Sequence, residues 1–597
     1  MSRPTVPTSR PGGRDGGFAL LAVLGTMTVV SILLLSTLAY AVGGTAPSRG
    51  DQDAKAAVAA AQAGMEEFVA RLNADDTYYT NNGVDAGNPA FGSGVPVQGT
   101  NGVAASYSYR LLTTAAETGL TGRIRLRVTG KSRGVTRSLT ATYRPDGFLK
   151  YVYFTDLEAA DPLLYNTGRR VRHNGVWSRR DSVNLSSTKF IEYTWYAKAS
   201  MLEGVCSQYY YQARHAKTYT TGQYVEVAQP YKSDGTTTNG PATSTDKTAD
   251  ASNKIGLDCL EIQFGTNEVV DGPMHSNDAL QITGSTTFTK RTTSSWGSNP
   301  TTSTWASPLA APTDGRLWWN GPTVTLPAQV PVTSRRIQMP SSNDELRTKA
   351  DPATGPGCLY TGQTRIVFVD NKMKVLSPGT TSSVPRCYDT ANRNGEQLVD
   401  IPPVIYVRSG PCGSVGIGYP DTARGEDPNR RLTTKYDCSF GSAFVSGRLS
   451  GRVTVATSHD VVVTGNTTYK DGLTGADALG LIPQGSTWIY HPVTTSGVNV
   501  LPASETVHRL DAAILSVGHS FLVQNYDVGA ALTTDDATRL QVRGSILQKF
   551  RGPVGTTGST PTGYTKNYVY DERLLNAPQP FFLRPLSSPW KIIKVTA

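Results

Sequence analysis

The strongest constraint on the fold is residues 18–42, FALLAVLGTMTVVSILLLSTLAYAV, within a stretch that carries no charge between Phe18 and Ser48. As a helix rising about 1.5 Å per residue, these residues reach roughly 37 Å, enough to cross a ~30 Å hydrocarbon layer with some tilt. So apolar a rod belongs in lipid or among like helices. The preceding MSRPTVPTSRPGGRDGG sets Arg3, Arg10 and Arg14 against Asp15. Positive charge before the apolar run predicts a single-pass cell-membrane protein with a cytoplasmic N-terminus and an extracellular bulk. A plain signal anchor is one reading. A cleaved secretory signal is another, with Ala39-Tyr40-Ala41 as the small-residue site, although the uncharged stretch before it exceeds the usual core of about 7–15 residues.

The flanks favour a third reading. The basic leader ends in Gly17 and the apolar helix begins at once with Phe18. After Gly43-Gly44 and Pro47, expected to break the helix, comes DQDAKAAVAAAQAGMEEFVARLNA. Here Val58, Ala61, Met65, Phe68, Val69 and Leu72 fall on one helical face, and Asp51 or Asp53 suits the N-terminal dipole. The Gly17-Phe18 junction resembles the class III signal of type IV prepilins, cut by prepilin peptidase on the cytoplasmic side so that the helix is retained. The fifth residue after the junction is Ala22, not the glutamate of major pilins, which is similar to minor pilins and pseudopilins of the PilX and GspK types. Ala60-Ala61-Gln62-Ala63-Gly64 resembles the A-A-E-A-G segment of PilX-type proteins. The resemblance implies processing between Gly17 and Phe18, and partnership with other pilins or pseudopilins, the membrane and the peptidase.

The rest of the 597 residues allows two or more domains. Tyrosine outnumbers phenylalanine 28 to 15, and Gly, Thr and Ser recur, which suits strands joined by short turns. Net charge is +10, modest for the length. The densest basic patch runs from Gly168 through Arg169, Arg170, Arg172 and His173 to Trp177, Arg179 and Arg180; it reads as a solvated loop or as a contact for a polyanion. Six cysteines, Cys206, Cys259, Cys358, Cys387, Cys412 and Cys438, all follow the apolar helix and none forms C-x-x-C. Outside the cell this favours disulfides over zinc. Six cysteines allow 15 pairings; nearest neighbours, 206–259, 358–387 and 412–438, are the simplest set.

The expected organisation is a leader (1–17), a transmembrane and pilin-like helix (18–73), a small antiparallel β module (74–147) and a large β-rich extracellular domain (148–597). Residues 106–112 read as a strand, and IRLRVTGKSRGVTRSLTATY (124–143) as a hairpin turning near Gly130 to Gly134. Residues 218–254 and 289–312, rich in Thr, Ser and Gly, read as surface loops. Asp278–Phe288 is echoed at Asp460–Tyr469 and more loosely at Leu540–Ser545. Strand-and-glycine units of this kind favour a parallel β-solenoid, with a β-sandwich as the alternative. Asp511–Val517 is nearly continuous apolar, as for a strand buried on both faces. The Pro- and aromatic-rich segment from Tyr564 to Trp590 is expected to close one end of this domain. The order GPMHSND, SGRLSGRVTVA, DAAIL, GSILQKFRGPVG, YVYDERL resembles large bacterial surface proteins that follow PilX-like N-termini, which implies location more than chemistry. The fold class is therefore α+β, mostly β.

His275-Ser276-Asn277-Asp278 places nucleophile, base and acid types together. On a solenoid, Asp271, Asp278 and Asp460 would suit the paired carboxylates of a polysaccharide hydrolase or lyase. Adjacent strand residues point to opposite faces, however, and Asp or Asn before a strand is a common turn former. His459, His491, His508 and His519 lack H-x-x-x-H spacing, and no G-x-x-x-x-G-K-[ST], H-E-x-x-H or G-x-S-x-G occurs. The expectation is a minor-pilin-like surface protein without catalytic residues, cofactor, metal or identified small-molecule substrate, whose large head primes assembly or adheres to a surface ligand. A membrane-anchored carbohydrate-active β-helix enzyme and a plain anchored structural protein are the alternatives.

Overall fold

The computed structural model describes residues 16–75, 77–81, 88–97, 104–162, 262–265, 267–280, 286–295, 336–419, 436–586 and 588–597, with short strands and isolated residues between 170 and 333. The chain forms two compact units: one holds residues up to Ala115, Arg123–Arg144 and Trp590–Ala597, the other Ala116–Gly122 and Pro145–Pro589.

The first unit is built on helix α1 (Gly16–Ala74), 59 residues long and so about 88 Å. Its Leu20–Tyr40 portion, long and apolar enough to cross a membrane, is entirely unburied. The expected break at Gly43-Gly44 and Pro47 is not present: the helix runs through. One proline removes one N–H from the ladder, and the turns on either side keep theirs. Beyond it the buried face is Ala57, Ala60, Ala61, Met65, Phe68 and Leu72, spaced for one helical stripe.

That stripe covers an antiparallel sheet of β1 (Val95–Val97), β2 (Ala105–Leu111), β3 (Ile124–Ser132) and β4 (Val135–Pro145). Ile124, Leu126 and Val128 point inward and Arg125, Arg127 and Lys131 outward, the period-2 alternation of a half-buried strand. The β3–β4 turn is tighter than expected. Ser132 pairs with Val135, leaving Arg133 and Gly134 as the two-residue loop, Arg133 at φ 47° as a primed hairpin turn requires. Gly130 lies inside β3. A Cβ there would sit 1.8 Å from the Ala57 carbonyl oxygen, so glycine permits the helix to touch the sheet. Phe68 fills the centre, its ring 5.3 Å from both Tyr109 and Tyr143.

The fifth strand of this sheet is Trp590–Thr596, beside β4. This corrects the expectation that 148–597 is one body: residues 590–597 belong to the first unit, and the second unit is inserted between two strands of the first. Asn73 fixes the junction, its Oδ1 accepting from Trp590 N at 2.6 Å and its Nδ2 donating to Trp590 O at 3.4 Å. Trp590 is buried beside Tyr79.

In the large sheet of the second unit the described strands pair in parallel, rung upon rung, but for one excursion, and short antiparallel ladders lie apart from it between residues 170 and 257. One ladder runs Cys358–Thr361, Val404–Arg408, Arg452–Thr457, Ala478–Pro483, Arg509–Ser516, Leu540–Phe550, Tyr153–Leu157, Met274–Ser276, Thr292–Ser294, Val332–Thr333. A second runs Thr364–Asp370, Ala443–Leu449, Val461–Tyr469, Thr487–Ile489, Phe521–Val523. The antiparallel exception is the excursion Thr364–Asp370, Lys372–Leu376, Gln397–Asp400. Strands pass from one face to the next at Gly447 (φ 104°) and Gly544 (φ 154°). A Cβ there would meet the carbonyl of the preceding rung at 2.2 and 1.9 Å.

Order in space departs from order in sequence. Tyr153–Leu157, the first rung in the chain, lies between Leu540–Phe550 and Met274–Ser276. Two buried ion pairs join early to late chain there: Glu158 with Arg551 (2.8 Å) and Glu268 with Lys566 (2.6 Å). Phe264 lies 3.6 Å beneath the Arg551 guanidinium. A strap returns the chain across the outside of the first ladder. Ile337 exchanges backbone bonds with the Asn277 amide (2.8 and 2.6 Å), and Asn343 Nδ2 donates to Thr457 O and Ile482 O (2.9 and 2.7 Å). Six extended residues reach about 20 Å, which matches four to five strand spacings of about 4.8 Å. Helix Asp344–Ala350 then buries Leu346 and Ala350 with Val404 and Tyr406. This cover explains why Arg509–Ser516 is apolar on both faces: Leu510, Ala512 and Ile514 enter the inner core, and Ala513 and Leu515 pack under the strap.

Two expected loops contain structure. Thr292–Ser294, within 289–312, is a buried rung; Thr293 Oγ1 donates to Met274 O at 3.0 Å and Ser294 Oγ to Asp278 O at 2.8 Å. Strands Tyr224–Glu226, Tyr231–Lys232 and Lys254–Leu257 fall in or beside 218–254, and the remainder of both stretches lies largely outside the described residues. The Asp278 echo does not match its counterparts: Ile282–Thr283 pairs with Trp319–Asn320 in a separate two-stranded sheet.

Candidate ligand-binding cleft

Gly17 and Phe18 both lie within α1, one and two residues from its start at Gly16. Disulfides join Cys358 to Cys387 (Cα–Cα 5.6 Å) and Cys412 to Cys438 (Cα–Cα 5.0 Å). Cys206 is buried and disulfide-bonded; Cys259 lies outside the described residues. Cys412, Asp437 and Cys438 come within metal-ligand distance of one another, but metal binding needs free thiolates and both sulfurs are in the disulfide. Of the basic patch, Arg170–His173 and Val176–Ser178 are strands paired antiparallel, while Gly168, Arg169, Arg179 and Arg180 lie outside the described residues.

The His275 segment is a structural knot. His275 is fully buried, Nδ1 2.8 Å from Thr293 Oγ1 and Nε2 3.0 Å from Asn277 Oδ1, stacked between Tyr151 and Phe154. Burial lowers its pKa to about 4, so the ring is neutral. Asp278 Oδ2 accepts from Glu158 N at 3.0 Å, and Asp278 N donates to Ser276 Oγ at 3.1 Å. Asp271 accepts from Thr289 Oγ1. Asp460, on another rung, accepts from Ser486 N at 2.7 Å and lies 3.1 Å from His459. The three carboxylates are each tied by hydrogen bonds to partners on neighbouring segments.

What the structure does build is a cleft of about 870 Å³ on the second unit, lined by 418–419, 464–466, Tyr490, 492–495, 500–501 and 504–506. Its floor continues an apolar stripe along the outer side of the second ladder, where Phe444, Val462, Trp488 and Leu522 stand in register on successive rungs. The Cys412–Cys438 bridge ties together the chain on either side of Ile417 and Tyr419, which pack on that stripe. Tyr419 lies parallel to Phe444 (5.5 Å, 3°) and meets Tyr490 edge-on (5.4 Å, 73°).

The opposite wall is the loop from Pro492 to Thr506. A bridge pairs Val493 with Asn499, and His491 beneath it spans Gln524 O and Asn499 Oδ1, both at 3.0 Å. Thr494 Oγ1 accepts from Val498 N at 3.0 Å, and Thr506 Oγ1 donates to Ala503 O at 2.7 Å. The loop is thus braced from inside, while Thr495, Val500, Ser504 and Glu505 remain exposed. Apart from His491 and the 464–466 part of the Asp460–Tyr469 echo, none of these residues stands out in the sequence. They come from three separated stretches, 418–419, 464–466 and 490–506, and the last is a Thr-, Ser- and Pro-rich run that reads as any surface loop.

The chain is thus a mostly β protein with one apolar helix that fits a single-pass membrane anchor, and a built cleft on its larger unit. No protein-family model matches the chain, and no curated protein matches it. Among solved structures, the competence-associated pilin ComZ from Thermus thermophilus is similar over 91% of this chain and 97% of its own, at 14% identity and a TM-score of 0.26. A TM-score this low does not establish a shared fold.

Proposed function

We propose that this protein is a minor-pilin-like surface protein. Prepilin peptidase cuts it after Gly17, its helix is held first in the membrane and then among other pilin helices, and its large unit acts outside the cell. The observation that carries the reading is the division of α1. Leu20–Tyr40 is wholly unburied, whereas Ala57–Leu72 of the same helix is packed on an antiparallel sheet. A bare apolar half needs lipid or like helices; the packed half fixes that rod to a folded module. The basic leader ending at Gly17 supports processing over a plain anchor.

The large unit serves as an adhesive or assembly-priming head. Its size disfavours repeated stacking along a fibre and suits a tip or low-copy position. Binding is proposed rather than catalysis, because the candidate carboxylates Asp271, Asp278 and Asp460 are each tied by hydrogen bonds. Mass spectrometry of the mature N-terminus tests the reading. Phe18, with or without N-methylation, supports it; Met1 indicates a plain anchor and Val42 a released protein, and either overturns it.

A further inference from the structure

We infer that the cleft bounded by Tyr419, Tyr490, Asn466 and Glu505 binds a neutral carbohydrate chain. The inference gives the outward unit of the proposed function its ligand; it rests on that reading for location only.

The polar groups are what select the ligand class. Asn466 Oδ1 accepts from both His508 N and Arg509 N at 2.9 Å. That fixes the amide plane and leaves Nδ2, with two hydrogens and no partner among the described residues, at the cleft. Glu505 is an exposed carboxylate at the same cleft. One oriented donor and one acceptor therefore sit in a cleft whose lining, among the described residues, holds no Lys, Arg or His. A phosphate, sulfate or nucleic acid finds no cation there and is repelled by Glu505. An ammonium or guanidinium satisfies Glu505 but itself offers no acceptor to Asn466 Nδ2, which a basic peptide would have to meet with a backbone carbonyl. A hydroxyl both donates and accepts, so neighbouring sugar hydroxyls satisfy both groups together.

The apolar part of the lining fits the same class. Tyr419 and Tyr490 are held at 73° to one another, and Pro492, Val493, Val500 and Leu501 complete apolar walls. Such walls suit the C–H faces of pyranose rings, whose hydroxyls project at the rim. A volume of about 870 Å³ falls in the range of pockets that enclose drug-sized ligands, which favours a short oligosaccharide over a single sugar. Because the floor is cross-linked and the loop braced, little ordering entropy is lost on binding.

The test is isothermal titration of the full-length protein in a detergent without sugar headgroups, such as an amine oxide. The probes are cellohexaose, xylohexaose, maltohexaose and chitohexaose, with a heparin hexasaccharide and a hexalysine peptide as competing classes. At least one neutral hexasaccharide is expected to bind. Glu505→Gln and Val500→Glu, both at exposed positions, are each expected to weaken it tenfold or more, with unchanged melting temperature. Failure of all four neutral probes at millimolar concentration overturns the inference. So does binding that survives both substitutions, or tighter binding of heparin or hexalysine. None of these outcomes depends on the mature N-terminus, so this inference and the processing of Gly17-Phe18 fail separately.

Discussion

Replacing Trp590 by alanine should destabilise the N-terminal unit while leaving the large unit intact. Trp590 is only 3% exposed and packs in the core formed by Phe68, Tyr109 and Tyr143. Truncating a buried tryptophan costs about 3–5 kcal/mol. For a module of this size each kcal/mol lowers the melting temperature by about 4–8 °C, so the unit should melt on the order of 20 °C earlier. Hydrogen exchange read by mass spectrometry localises the effect. At about 1.4 kcal/mol per tenfold, amides of β2, β3 and β4 should exchange roughly 10²- to 10³-fold faster. Amides of Arg452–Thr457 and Ala478–Pro483, deep in the large unit, serve as the internal reference and should not change. Asn73→Ala should give a smaller effect in the same amides, because it orphans the Trp590 N–H at about 1–3 kcal/mol. Unchanged exchange in β3 and β4, or equal acceleration in the reference strands, would refute the placement of the C-terminal strand in the first sheet.

Other consequences can be checked alongside. Gly130→Ala sets a Cβ against the Ala57 carbonyl and should cost at least the ~1–3 kcal/mol typical of overpacking, read as a lowered urea midpoint of the same unit. Glu158→Gln strands Arg551, 1% exposed, and should destabilise the large unit by about 3–5 kcal/mol, with much of that recovered in Glu158→Leu/Arg551→Met; additive losses in the double variant would argue against the pairing. Replacing both Cys358 and Cys387 by alanine opens a bridge of sequence separation 29 and should cost about 3.5 kcal/mol on the chain-entropy model, seen by calorimetry. His519 bonds Asp161; burial pulls its pKa down, but the Asp161 hydrogen bond and charge outweigh it and raise the net value. A histidine raised on folding stabilises fully below its unfolded pKa near 6.5, and that share is lost as pH climbs through the folded value. The urea midpoint should therefore fall across that window in the parent and change less in His519→Gln.

Of the candidate site, the sequence carried little. Asp271, Asp278, Asp460 and His275 drew attention as chemical types, but their partners are Thr289, the Glu158 N–H, the Ser486 N–H and Thr293. Each is a contact between rungs that no spacing records. The cleft was not legible, because Tyr419, Asn466, Tyr490 and Glu505 are ordinary loop and strand residues until three separated stretches meet.

What the sequence settled by itself rests on interactions short in sequence. The apolar run 18–42 has a length and composition only a buried or membrane helix can use. The alternation of Ile124, Leu126 and Val128 orients β3, and the stripe of Ala61, Met65, Phe68 and Leu72 orients the helix. Nearest-neighbour cysteines at 358–387 and 412–438 are also the bridged ones. The tertiary structure alone decided the long-range matters. These are the return of Trp590–Thr596 to the first sheet, the seating of Tyr153–Leu157 beside Leu540–Phe550, and the strap that crosses the ladder at Asn343. A parallel strand that is apolar on both faces accepts many neighbours equally well, and its hydrogen bonds run to residues hundreds of positions away. Which neighbour it takes is fixed by buried pairs such as Glu158 with Arg551, whose partners meet only when the fold closes.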